Sequence, residues 1–252
     1  MGKNIKISII TVCYNSANTI EDTFKSIEAQ TYENIEYIVV DGVSKDNTLE
    51  IAEKYKNIIT HLISEKDSGL YDAMNKGITL ASGGVIGILN SDDLYCDNNA
   101  IEKVMSIFNE NEDLDSVYAD IFYVDKNNTD KIVRQWNSGK QKSFKNGWHP
   151  AHPTLFIKKE IYDRYGLFDL NFKIAADFEI MLRFLEKNQI TTFYLPEHIM
   201  KMRLGGESNK SIKNIINQNV ECLKAFEKNN VKVNKFIYPI KRLVPKLLQY
   251  NN

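Results

Sequence analysis

The chain has 252 residues, 43% of them hydrophobic and 26% charged, with a formal net charge of -1. Such ordinary values suit one large domain, or one domain with an appendage, and exclude disorder as the default. The charge is unevenly placed, with 21 Lys+Arg against 30 Asp+Glu in residues 1–200 and 11 against 3 in residues 201–252; the acidic body lacks the basic stripe that nucleic acid needs, and the basic end suggests an attachment surface.

Cys13, Cys96 and Cys222 are odd in number and lack metal-ligand spacing, which fits free thiols in a reducing compartment. The opening MGKNIKISIITV has no apolar stretch of signal-peptide length, and no run of about 18 apolar residues follows, so a cytoplasmic protein is expected.

Strand and helix signals alternate through the first hundred residues. ISIITVCY (7–14) is a continuous, β-branched run, as expected of a strand covered on both faces. Ser16 or Asn18 can cap the next helix, in which Ile20, Phe24 and Ile27 recur at helical spacing. IEYIVVDG (35–42) is a second strand, with a helix near 46–55 capped by Asp46. HLIS (61–64) is a third strand, LYDAMNKGITLA (70–81) a helix closed by Gly83-Gly84, and VIGILN (85–90) a fourth strand. Repeated β-α units predict an α/β fold, a mostly parallel sheet flanked by helices, with ligands beyond the carboxyl ends of its strands. Tyr14-Asn15, Asp41, Asp67 and the run Asn90-Ser91-Asp92-Asp93 all fall at those ends. Further on, SVYADIFYVD (116–125) and IVRQW (132–136) read as paired strands, PTLFIK (153–158) as a short strand and DFEIMLRFLEKN (177–188) as a helix. The division is a domain of residues 1–210 and a helical, basic amphipathic tail of residues 211–252.

Several residue types carry chemistry in this pattern. Asp92 and Asp93 form a hard-oxygen pair suited to Mg²⁺ or Mn²⁺, although acidic pairs also occur in solvated turns. Asp41 can accept hydrogen bonds from a base or ribose, or cap a helix; Asp67-Ser68-Gly69 can be an N-cap and turn. Asp177 and Glu179 at a helix start can deprotonate a hydroxyl or simply meet the helix dipole. His149 and His152 can ligate a metal, contact phosphate or serve structure. RLGGESNKS (203–211) offers Arg203 and Lys210 for phosphate, or an ordinary glycine turn.

Together these segments resemble the family 2 glycosyltransferases of the GT-A fold, in the bacterial branch that builds surface polysaccharides. The pieces SIITVCYN, VVDGVSKDNT, SEKDSGLYDAMNKGI, ILNSDD, HPTLFIKKEIYDRYGLFD, AADFEIMLRF and GGES occur in family order over about residues 5–210. The resemblance implies that Thr11, Tyr14 and Asn15 line a nucleotide pocket, that Asp41 contacts the base, and that Asp67 and Lys76 lie beside the nucleotide and its phosphates. It implies Asp92 as the metal-binding last acid of an Asp-x-Asp motif, with Asp93 and His152 as further candidates for Mn²⁺ or Mg²⁺. Asn90, Ser91 and Arg203 complete the donor side, and Asp177, with Glu179 nearby, matches the catalytic base. One departure is Asn90, a neutral residue where that motif has its first acid. Members of this type invert the anomeric centre by direct displacement. A nucleoside-diphosphate sugar donor, commonly a UDP-sugar, and a glycan or lipid-linked acceptor are implied.

In residues 235–250, Phe236, Ile240, Leu243, Leu247 and Tyr250 recur at steps of four and three, with Lys235, Arg242 and Lys246 on the other side. That stripe suits an anionic inner-membrane surface or docking on the domain itself, and Pro245 is expected to break the helix. Competing readings are a sugar nucleotidyltransferase and a non-catalytic nucleotide-sugar-binding protein. The first is disfavoured because VCYNSANTI has no glycine and no basic residue, the second because Asp92 and Asp177 are both present.

Overall fold

A computed structural model describes residues 4–205 and 212–248. In chain order the first half comprises β1 (Ile7–Cys13), α1 (Ile20–Glu28), β2 (Ile35–Asp41), α2 (Thr48–Lys54), β3 (His61–Ser64), α3 (Leu70–Leu80), β4 (Val85–Ile88), β5 (Leu94–Tyr95) and α4 (Ala100–Glu110). The second half comprises β6 (Ser116–Val124), β7 (Ile132–Trp136), β8 (Phe156–Lys158), α5 (Lys159–Tyr165), α6 (Ala176–Met181), β9 (Thr192–Arg203), α7 (Ile212–Lys228) and α8 (Ile237–Leu248). A π-helical turn, Leu182–Lys187, prolongs α6.

Strands β3, β2, β1 and β4 lie side by side and parallel, as the alternating units predict. Every residue of β1 is buried because both faces are covered. Ile10 and Val12 join one cluster with Met74 and Ile78 of α3, while Ile7 and Ile9 join the other with Phe24 of α1 and Val104 of α4. The sheet then turns mixed. β8 runs antiparallel to β4, β6 antiparallel to β8, and β9 parallel to β6. β7 pairs with β6 as its sequence suggested, and β5 closes the far edge on β9.

The basic tail shares the core of the body, since Cys222, Ala225 and Phe226 of α7 and Tyr238 of α8 belong to the cluster that holds Phe178. One expectation about α8 needs correction. It continues through Pro245 to Leu248. Proline leaves the carbonyl four residues back without its helical donor, and that carbonyl, on Lys241, lies close against Gly147. Of the stripe and its basic flank, Phe236 and Ile240 are exposed and Arg242 is buried. Tyr250, Lys210 and residues 206–208, which complete GGES, lie outside the described residues.

Candidate active site

The carboxyl ends of β1, β2, β3 and β4 form one rim, because these strands are parallel and in register. Asn15 follows β1 in the left-handed region, at φ 49°. Its N–H donates to Ser44 Oγ and its side-chain oxygen accepts from the Lys45 N–H, both at 2.8 Å, so it locks the loop after β2. Tyr14 beside it is 59% exposed, an aromatic face available at the rim. Gly42 lets Asp67 come close: a Cβ there would stand 2.5 Å from Asp67 Oδ2, which would have to move aside. Asp67 also accepts from the Gly69 N–H at 2.9 Å, which sets the entry to α3.

Asp41 is fully buried and both of its oxygens are occupied. It accepts from the Ser44 N–H at 3.0 Å, from the Ser64 hydroxyl at 2.7 Å and from the Ser44 hydroxyl. Its carboxylate shapes the pocket loops, and the expected contact with a base is not open to it here. Thr11 likewise turns inward, accepting from the Tyr37 hydroxyl at 2.9 Å within the core. Lys76 ties Glu65 and the Lys66 carbonyl to α3 rather than reaching over the rim.

The loop after β4 is clasped from three sides. Ser16 and Ser91 hydroxyls meet at 2.8 Å, Thr19 donates to the Ser91 carbonyl at 2.9 Å, and Thr23 donates to the Asp93 carbonyl at 2.7 Å. Arg203, at the end of β9, donates to the Asp92 carbonyl at 2.9 Å and pairs with Asp22. It is a brace for this loop, so its expected phosphate role is corrected. Asp92 is half-buried, whereas Asp93 is 1% exposed and takes a hydrogen bond from Asn90 Nδ2 at 3.3 Å. Burial pushes both carboxyls up, and the Asp92 charge raises Asp93 further. Among the described residues, Asp93 Oδ1 and Asn90 Oδ1 are buried without a hydrogen-bond partner. Buried orphan oxygens beside two crowded carboxylates make a site richer in negative than in positive charge, with Arg203 the cation beside it. No cluster of three protein metal ligands forms among the described residues. A hard cation that shares its shell with phosphate and water needs only one or two carboxylates.

Asp177 stands in the first turn of α6 and accepts from the Phe178 N–H at 2.7 Å. The Tyr71 hydroxyl lies 2.9 Å from the Ile174 carbonyl and 3.4 Å from Asp177 Oδ1. Since Tyr71 opens α3, directly after the β3 end of the rim, Asp177 is held at the rim that carries Asp92. Asn75, one turn on, exchanges two 2.9 Å bonds with the backbone of Phe168. Phe168 stacks on Tyr71 at 5.5 Å, and His152 packs edge-on to Phe168 at 5.7 Å. Burial pushes His152 down, opposed by the nearby Asp177 charge. The structure thus sets His152 beside the prospective base, in no metal cluster with Asp92 and Asp93.

Glu179 is corrected from a catalytic to a structural group. It is fully buried, paired with Arg183 at 3.0 Å and Lys228 at 3.2 Å, and accepts from Asn229 at 3.0 Å. Sequence reasoning also missed Glu221 of α7, which accepts from the N–H groups of Lys173, Ile174 and Ala175 at 3.1, 2.9 and 2.8 Å. It thereby fixes the turn that delivers Asp177. The available signal was an acid standing in a strongly basic segment. A concavity of about 450 Å³ lies between α1 and α2, and its lining of Glu21, Asp46 and Glu50 against Lys54 is net negative, the wrong sign for a diphosphate.

Comparison with known proteins bears on this rim. Residues 8–166 match the family model described as glycosyl transferase family 2. A PGL/p-HBAD biosynthesis glycosyltransferase of Mycobacterium bovis is 29% identical over 213 residues, covering 80% of this chain and 78% of the relative. An uncharacterized glycosyltransferase of Rickettsia typhi is 32% identical over 206 residues, covering 79% and 64%. Among solved structures, S. aureus TarS 1–349 in complex with UDP-GlcNAc superposes with TM-score 0.68 at 17% identity, over 94% of this chain and 70% of that one. The mannosyltransferase PcManGT from Pyrobaculum calidifontis, with GDP-Man and Mn²⁺, gives TM-score 0.66 at 16% identity, over 96% and 70%. At such identities the structures share the fold, a GT-A architecture.

Proposed function

This chain belongs to glycosyl transferase family 2, and we propose that it moves a sugar, with inversion, from a UDP-sugar to a hydroxyl of a glycan or lipid-linked acceptor on the cytoplasmic side. One observation carries the reading: the loops of the rim are tied together, the Asp92 loop to Ser16 through Ser91, the Asn15 backbone to Ser44, and Tyr71 to Asp177. Tyr14, the Asn15 loop and Asp67 bound the space for the nucleotide. Asp92, the more exposed acid of its pair, would hold Mn²⁺ or Mg²⁺, with Asp93 and Asn90 behind it. Such an ion, when bound, neutralises charge on a departing diphosphate. Asp177 takes the proton from the acceptor hydroxyl, a task for a carboxylate within hydrogen-bond reach of it. No enzyme nucleophile is required, because the acceptor oxygen attacks directly. The TarS complex supports a UDP-sugar donor, and the mycobacterial relative supports a role in assembling a larger glycosylated product, as in bacterial surface polysaccharide synthesis.

The test is a melting-temperature panel of nucleotide sugars with Mn²⁺ and Mg²⁺, followed by a transfer assay with the donor that shifts most. Asp177→Asn should lower transfer by about 10²-fold or more while keeping the donor-induced shift. Transfer by that variant at the parental rate would remove Asp177 from the mechanism.

A further inference from the structure

We infer that the outer face of α8 seats on an anionic lipid surface, with Phe236, Ile237 and Ile240 entering the acyl boundary and lysines meeting the headgroups. Helix α8 is anchored by its other side. Tyr238 is 1% exposed, its ring 4.8 Å from that of Phe226, and Arg242 is 4% exposed, bonded to Asn219 at 2.9 Å. The backbone at Lys241 and Arg242 presses on Gly147, so closely that a Cβ there would stand 2.7 Å away. The helix therefore cannot roll to hide its stripe. Outward it shows Phe236 at 88% exposure, Ile240 at 63% and Ile237 at 47%. A helix that buries an arginine and exposes a phenylalanine is matched to a second apolar environment.

Charge identifies that environment. After Glu227 the chain has six basic residues and no acid. Lys228 and Arg242 are engaged internally; of the others whose side chains are described, Lys232, Lys235 and Lys241 are exposed, Lys235 in a surface pair with Glu227 and Lys241 donating to Asn146 at 2.9 Å. Lysine around an aromatic and aliphatic face is the composition of a helix lying in a headgroup layer, whereas protein interfaces are depleted in lysine. A second copy of this chain, docked by the same patch about a two-fold axis, would set these lysines against their own images. Among the described residues no helix is long and apolar enough to cross a membrane, so the contact is with the surface. The inference holds whether or not the chain transfers sugar.

Vesicle sedimentation of the full chain tests it without any donor. The protein should sediment with vesicles of phosphatidylcholine and phosphatidylglycerol, weakly with phosphatidylcholine alone, and be released by salt. Phe236→Ser with Ile240→Ser removes only exposed groups, so the melting temperature should hold while partitioning falls about tenfold or more. Lys232→Gln with Lys241→Gln should reduce the preference for the anionic vesicles several-fold. Absence of sedimentation with anionic vesicles overturns the proposal, as does equal sedimentation of the serine variant. A concentration-dependent dimer that only the serine variant loses would assign the face to a second copy instead.

Discussion

Two carboxylates a single residue apart on α6 have opposite work. Asp177 is at the rim, whereas Glu179 is the buried anion that Arg183 and Lys228 share. Removing one member of a buried ion pair strands its partners, which costs about 3–5 kcal/mol. Glu179→Gln should therefore lower the melting temperature strongly, with turnover of the folded fraction little changed. A variant of parental stability with lost turnover would restore Glu179 to the chemistry. Glu36 on β2 shows the same logic with pH. Burial pushes its carboxyl up, but bonds from Ser8, Ser82 and Lys6 outweigh that and hold it at about 2 against an ordinary 4.5. A depressed carboxyl stabilises the fold above its unfolded value, and that stability fades as pH falls from 4.5 toward 2. Glu36→Gln should thus be less stable than the parent at neutral pH, by on the order of 2 kcal/mol, with the gap closing in acid. Denaturant midpoints at several pH values measure it, and a gap that does not change with pH would contradict it.

At the scale of elements, α7 is more than a tail helix. Through Glu221 it supplies the acceptor for three successive N–H groups before α6, in the turn whose Ile174 carbonyl also accepts from the Tyr71 hydroxyl. Glu221→Ala should cut kcat about tenfold or more, since on the proposed reading Asp177 is the base and small misplacements of such a group are costly. The KM for donor should stay within about twofold, because the donor loops rest on other residues. Equal losses in both would make Glu221 purely structural. The strands and helices from β1 to β4 were legible because each repeats its apolar pattern locally, whereas β5 and α4 were not read from the sequence. β9 was not: Pro196, Glu197 and His198 interrupt its alternation, and its partner β6 lies more than 70 residues earlier. The rim was legible as a set of positions. The direction each side chain takes was not, which is why Thr11 and Asp41 were expected in the pocket yet point to Tyr37 and to the two serines. Whether an acid at a strand end faces ligand or loop depends on serines 3 and 23 residues away, whose convergence no spacing encodes.

At the scale of the whole molecule, the rim has two owners. Asn15, Gly42, Asp67 and Asp92 all precede α4, whereas His152, Phe168, Asp177 and Glu221 all follow β6. The sheet halves that carry them join where Val85 and Ile86 pair with Lys158 and Ile157. On the proposed reading, the first half holds what is delivered and the second half what receives it. A chimaera of residues 1–110 with the remainder of a relative should keep this chain's ranking of nucleotide sugars in melting shifts while adopting the relative's acceptor. Donor ranking that travels with the second half would refute the division. If it holds, one crossover within the loop after α4 suffices to readdress the enzyme, so new glycan linkages can arise by gene shuffling with the cargo unchanged.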